Sequence, residues 1–213
     1  MKALVIGATG LVGGELVKAL LTKDEFSEVV VFGRRETGLK HPKLREEIVN
    51  FNQPENWASK VKGDVLFSCL GTTIKKAGSQ ENQFKIDYTF QYTTAEAAAK
   101  NNVAQYILVS SSGAKANSSI FYSRIKGQLE EAILQLPFRK ITILRPSLLL
   151  GERNEKRGSE AFAQKIMPAI TRFIFKKYRP IPGATVARAM IQAALHPSKQ
   201  IVFELDEIFR LAE

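Results

Sequence analysis

The sequence holds one cysteine, Cys69, and two histidines, His41 and His196, among 213 residues. A lone thiol excludes an internal disulfide, and so few soft ligands leave no cluster at zinc spacing, so a structural metal is not expected. No apolar run approaches the roughly 20 residues that cross a bilayer. The stretch after Met1-Lys2 is only Ala3-Leu4-Val5-Ile6, too short for a secretory signal; a cytoplasmic protein without stable membrane association is expected. Glycine (14) and proline (8) are too sparse for a collagen-like or low-complexity chain. There is no solenoid-type repeat, no long basic tail and no helix-turn-helix, aromatic stacking platform or zinc finger, so no nucleic-acid partner is expected.

The composition, 45% apolar and 24% charged, is that of one folded domain spanning residues 1–213. The net charge of +10 arises from 31 Lys and Arg against 21 Asp and Glu, a balance that favours anionic partners such as phosphates and nucleotides. Basic residues include the pairs Arg34-Arg35, Lys75-Lys76 and Lys176-Lys177 and a looser cluster from Arg153 to Arg179.

Short apolar runs rich in β-branched and aromatic residues recur at Ala3 to Ile6, Val29 to Phe32, Val65 to Phe67, Tyr106 to Val109 and Ile141 to Leu144. Unbroken runs of this kind suit strands covered on both faces. Helical spacing of Leu11, Leu16, Val17, Leu20 and Leu21 predicts a helix after the first strand, and further helices are predicted over Gln83 to Lys100 and Phe121 to Leu136. Alternation of this order implies right-handed crossovers and an α/β fold, a Rossmann-like doubly wound parallel sheet with helices on both faces. After Gly151 the pattern loosens. Helices over Glu160 to Phe175 and Val186 to Leu195 and a last strand from Ile201 to Leu205 then make a small C-terminal elaboration, residues 151–213, on the substrate side.

Gly7-Ala8-Thr9-Gly10-Leu11-Val12-Gly13 occupies the first strand-to-helix turn with G-x-x-G-x-x-G spacing, the position at which such folds hold a pyrophosphate. One glycine permits the tight turn, one lets backbone approach the anion, and one allows helix and strand to touch. The helix N-terminus adds unpaired N–H groups and a positive dipole end. The second predicted strand ends in Phe32-Gly33-Arg34-Arg35. An acidic residue there would bind a ribose 2′-hydroxyl, whereas guanidinium groups suit a 2′-phosphate, so NADP(H) is favoured over NAD(H).

Tyr122 and Lys126 stand at i and i+4 of a predicted helix, hence on one face. A cation beside a phenol stabilises the tyrosinate and fits it to exchange a proton with a carbonyl or alcohol. The pair follows Val109-Ser110-Ser111-Ser112-Gly113, a strand emptying into hydroxyls at the carboxyl edge of the sheet, where open α/β sheets bind ligands. Any of the three serines could hydrogen-bond the reacting oxygen; Ser111 is favoured, with Ser112 second. Cys69, Trp57 and His41 read as a buried thiol, satellite packing and a surface turn.

The glycine turn, the serines after the central strand, Tyr122-x-x-x-Lys126 and Arg145-Pro146-Ser147 together resemble the short-chain dehydrogenase/reductase superfamily. Phe32-Gly33-Arg34-Arg35, Leu70-Gly71-Thr72-Thr73 with Lys76-Ala77-Gly78, and Arg145 to Leu150 look like its atypical branch, that of the Tat-interacting, metastasis-suppressor proteins and their bacterial relatives, over essentially the whole chain. The resemblance implies NADP(H) bound through Gly7, Thr9, Gly10, Leu11, Val12 and Gly13, with Arg34 and Arg35 on the 2′-phosphate. It sets Leu70, Gly71, Thr72 and Ser110 along the nucleotide, and Pro146, Ser147 and Leu148 near the carboxamide. It also implies Tyr122 as proton donor, Lys126 on the nicotinamide ribose and Arg157 in a substrate-side loop. The superfamily's helix asparagine is replaced here, near Ile86-Asp87-Tyr88.

Three functions follow for test. The first is an NADP(H)-dependent oxidoreductase acting on a small carbonyl or alcohol substrate, with Tyr122 as general acid/base. The second is a non-catalytic NADP(H)-sensing regulatory protein that binds a protein partner. The third, nucleic-acid binding by net charge alone, lacks a motif. Monomer and homodimer both stay open, and no substrate is readable.

Overall fold

The computed structural model describes residues 1–150, 179–196 and 198–213. Five strands carry the centre of the sheet: β1 (Lys2–Ile6), β2 (Glu28–Gly33), β4 (Val65–Ser68), β5 (Gln105–Val109) and β6 (Lys140–Arg145). β3 (Leu44–Ile48) lies at one edge and β9 (Val202–Glu204) at the other, giving the order β3-β2-β1-β4-β5-β6-β9. All neighbours are parallel, with Ile6 paired to Phe32 on one side of β1 and to Ser68 on the other. Two short strands, β7 (Leu149–Leu150) and β8 (Ile181–Pro182), pair separately.

The unbroken apolar runs divide strictly by parity. Ala3, Val5, Val29, Val31, Val65, Phe67, Ile107 and Val109 face one layer, packed under helices α1 (Leu11–Leu21) and α6 (Gly183–Leu195). Leu4, Ile6, Val30, Phe32, Leu66, Tyr106 and Leu108 face the other, under α4 (Phe90–Lys100) and α5 (Phe121–Leu134). Each such side chain, fully buried, contributes about 1.5–3 kcal/mol. Covering both faces is what a parallel sheet requires, and it explains strands without polar alternation.

β3 was not among the strands predicted. Its sequence, Leu-Arg-Glu-Glu-Ile, has no apolar run, because an edge strand with one free side carries charge that discourages further pairing. Glu47 is held there by Lys60 and Arg45, at 2.9 and 2.5 Å. The helix expected over Gln83 to Lys100 begins earlier and is interrupted: α3 (Gln80–Phe84) passes into a π-turn (Lys85–Thr89) before α4. A short α2 (Ile74–Ala77) precedes it, capped by Thr73, and α7 (Asp206–Leu211) ends the chain. The expected last helix begins at Gly183 in place of Val186, and the expected last strand is trimmed to Val202–Glu204. The helix expected over Glu160 to Phe175 lies outside the described residues.

The strand order reverses its direction of growth between β1 and β4. Ligands of doubly wound sheets bind at the carboxyl ends of strands flanking such a switch point.

Candidate active site

At that switch point the chain makes a cleft of about 480 Å³. Its lining comes from the glycine turn (Gly10, Leu11, Val12), the loop after β4 (Cys69 to Ile74), α3 (Gln80, Gln83), the end of β5 (Val109, Ser110), the start of α5 (Ile120, Phe121, Tyr122, Lys126) and Leu149. No carboxylate lies among these residues.

The glycine turn is built by steric exclusion. Gly7 has φ of +84°, and an added Cβ would lie 2.5 Å from the carbonyl carbon of Cys69. Gly7 therefore lets β1 and the loop after β4 approach at the floor of the site. Its carbonyl accepts from the N–H of Gly10 at 2.9 Å, closing the turn. Gly10 is the N-cap of α1 and, lacking a side chain, leaves the first helical turn without a side-chain cap. Those N–H groups open toward the cleft with the positive end of the helix dipole, an arrangement suited to a pyrophosphate.

Arg34 and Arg35 follow β2, next to β1 in the sheet; both are exposed and form no ion pair among the described residues. Glu46 of β3 reaches the same loop, but one of its oxygens accepts from the Thr37 N–H at 2.7 Å.

Tyr122 and Lys126 lie one turn apart on α5. The Lys126 ammonium sits 5.9 Å from the centre of the Tyr122 ring, and Tyr122 is 39% exposed in the cleft wall. Lys126 is only 2% exposed. Its Nζ is 2.8 Å from Oδ1 of Asp87, which is wholly buried, and the other Asp87 oxygen accepts from the Thr72 N–H at 3.0 Å. Burial alone opposes the ammonium, but the Asp87 carboxylate, with Tyr122 and Glu130 nearby, outweighs it and holds Lys126 above the ordinary lysine range.

The three serines separate. Ser110 lines the cleft, and its hydroxyl donates to Glu130, itself buried on α5. Glu130 is clamped in turn by Arg145, whose Nε lies 3.1 and 3.2 Å from its two oxygens and whose far nitrogen reaches Glu204 at 2.6 Å. Hydrogen bonds donated to Glu130 hold that guanidinium above even its ordinary range. Ser111 donates to the carbonyl of Ser112 at 3.3 Å, and Ser112 donates its N–H to Pro146 at 2.9 Å; neither lines the cleft.

Leu70, Gly71 and Thr72 are in the cleft wall. Gly13 lies behind the turn, and Thr9 is exposed beside Gly10. Of the Pro146-Ser147-Leu148 segment, Pro146 is buried, the Ser147 hydroxyl donates to the carbonyl of Arg179, and Leu148 is exposed; the next residue, Leu149, reaches the cleft. Arg157 lies outside the described residues. Burial pushes the Cys69 thiol up to about 12, an inert group. Asp87, Gln83 and Glu130 were not predicted as site residues, and the only signal for Asp87 was its place near the family's missing asparagine.

An NAD(P)H-binding family model matches residues 7–197. The chain belongs to this NAD(P)H-binding family, within the atypical short-chain dehydrogenases/reductases. Its curated relatives include the mitochondrial protein FMP52-1 of Scheffersomyces stipitis, 35% identical over 204 residues, 91% of this chain and 88% of that protein. Protein HTATIP2 of Rattus norvegicus is 32% identical over 197 residues, 91% of this chain and 81% of its own. Among solved structures, MoeE5 with UDP-glucose and NAD superimposes with a TM-score of 0.71 at 17% identity, over 100% of this chain and 81% of that one. The UDP-glucuronic acid 4-epimerase of Bacillus cereus gives 0.72 at 18%, over 96% and 77%. These likenesses establish the Rossmann-like α/β fold.

Proposed function

We propose that this protein is an NADP(H)-dependent oxidoreductase that moves a hydride between nicotinamide and a small carbonyl or alcohol carbon. The observation that supports it is a single cleft walled both by an uncapped helix N-terminus and by Tyr122 with Lys126. The residues present fit a dinucleotide: the turn is held open by glycine, no carboxylate of the described lining repels the diphosphate, and two exposed arginines follow the second strand.

Backbone N–H groups of Leu11 and Val12 would hold the diphosphate, and Arg34 with Arg35 would hold a 2′-phosphate, whose geometry guanidinium matches better than ammonium does. Lys126 would donate to the ribose hydroxyls. When bound, the nicotinamide supplies or accepts the hydride. The phenol of Tyr122, exposed in the cleft, delivers the matching proton to the substrate oxygen or withdraws it. The Ser110 hydroxyl donates its one hydrogen bond to Glu130, so it would meet a ligand in the cleft only as an acceptor.

The test is fluorescence titration with NADPH and NADH, followed by NADPH oxidation across a panel of aldehydes and ketones. NADPH should bind at least about tenfold more tightly, about 1.4 kcal/mol, and be oxidised by some member of the panel. Binding with no turnover on any carbonyl would replace this reading by nucleotide sensing. No binding would end both.

A further inference from the structure

The buried pair of Asp87 and Lys126 is joined to the cleft from two sides. Asp87 comes from the π-turn, in which it is the buried residue, and such turns often mark functional sites. One oxygen meets Lys126 at 2.8 Å and the other takes the Thr72 N–H at 3.0 Å. Gly71 lies against the pair: a Cβ added there would stand in ordinary contact, 3.5 Å from Asp87 Oδ1 and 3.7 Å from Lys126 Nζ. From the same helical segment, Gln83 donates to the Thr72 carbonyl at 3.3 Å. A carboxylate with no exposure thus fixes both the loop after β4 and the ammonium on α5.

We propose that Asp87 is a positioning residue for the nucleotide site, tying the Lys126 ammonium to the Gly71–Thr72 backbone so that both meet the nicotinamide ribose as one unit. The assignment rests on the nucleotide-binding reading above. Among the described residues, the charged or titratable groups facing Lys126 are Asp87 from the π-turn and Tyr122 and Glu130 from its own helix, with Arg145 of β6 neutralising Glu130. Removing Asp87 therefore leaves a buried ammonium whose direct counter-charge is gone, and burial then favours its neutral form.

The experiment is NADPH titration of the full chain at several values between about pH 7 and about pH 9, a range where the 2′-phosphate stays ionised. Wild-type affinity should change by less than about threefold, whereas Asp87→Asn should bind at least about tenfold more weakly than wild type at the alkaline end, where an unpaired buried Lys126 is discharged. Wild-type affinity with a flat profile in Asp87→Asn would overturn the proposal while leaving the function standing. Failure of the wild-type chain to bind either nucleotide would instead remove the function. Where Asp87→Asn does not fold, Asp87→Glu, which keeps the counter-charge but moves it, decides: NADPH binding at least about tenfold weaker supports the unit, and wild-type affinity overturns it.

Discussion

Gly13 on α1 lies so close to Gly7 that a Cβ added to it would stand 2.2 Å from the Gly7 carbonyl oxygen. The contact presses the helix onto the strand-end turn and fixes where its free N–H groups point. Gly13→Ala should force the helix outward, costing about 1–3 kcal/mol by overpacking, and weaken NADPH binding at least about tenfold. Urea denaturation and fluorescence titration check the two effects.

Arg34 and Arg35 carry the choice of nucleotide. Replacing both by alanine should abolish the preference for NADPH over NADH and leave NADH affinity within about threefold, because only the 2′-phosphate contact is lost. Equal preference retained by the double variant would move the 2′-phosphate elsewhere.

Tyr122 and the serines separate by role. Tyr122→Phe should reduce turnover about 10²–10⁴-fold with NADPH affinity nearly unchanged, since only the proton is withdrawn. Ser110→Ala should affect the cleft, whereas Ser111→Ala, whose hydroxyl donates to the carbonyl of Ser112, should leave turnover within about threefold. The reverse order in steady-state kinetics would return the catalytic serine to Ser111.

Arg145 holds the Glu130 carboxylate that orders Ser110. Arg145→Met should cost about 2–4 kcal/mol, somewhat below the value for a fully buried pair because Arg145 is partly exposed, by stranding a buried anion. Adding Glu130→Gln should recover part of that loss, a coupling visible in a double-mutant cycle by urea denaturation.

The elevated Lys126 sets an alkaline limit. Its folded value stands above the unfolded one near 10.4, so the stabilisation from pairing is complete below about pH 10.4 and declines as pH rises through the folded value. The unfolding midpoint of the wild-type chain should therefore fall more steeply above about pH 10.4 than that of the Asp87→Asn, Lys126→Met chain. Parallel curves would show that the pair contributes nothing there.

The sequence by itself determined the sheet's central strands, the glycine turn and the i, i+4 placement of Tyr122 with Lys126. Each depends on neighbours within a few residues, where apolar periodicity and the sterics of glycine act directly. Only the tertiary structure decided β3, whose Arg45, Glu46 and Glu47 hide an edge strand that pairing with β2 creates. It also decided that Asp87 meets Lys126 across 39 positions and that Ser110, not Ser111, lines the cleft with its hydroxyl donating to Glu130. Charge pairs of this kind have no period in the chain. They are fixed by the distance between packed helices and strands and by the cost of leaving a buried charge alone, which only the assembled fold imposes.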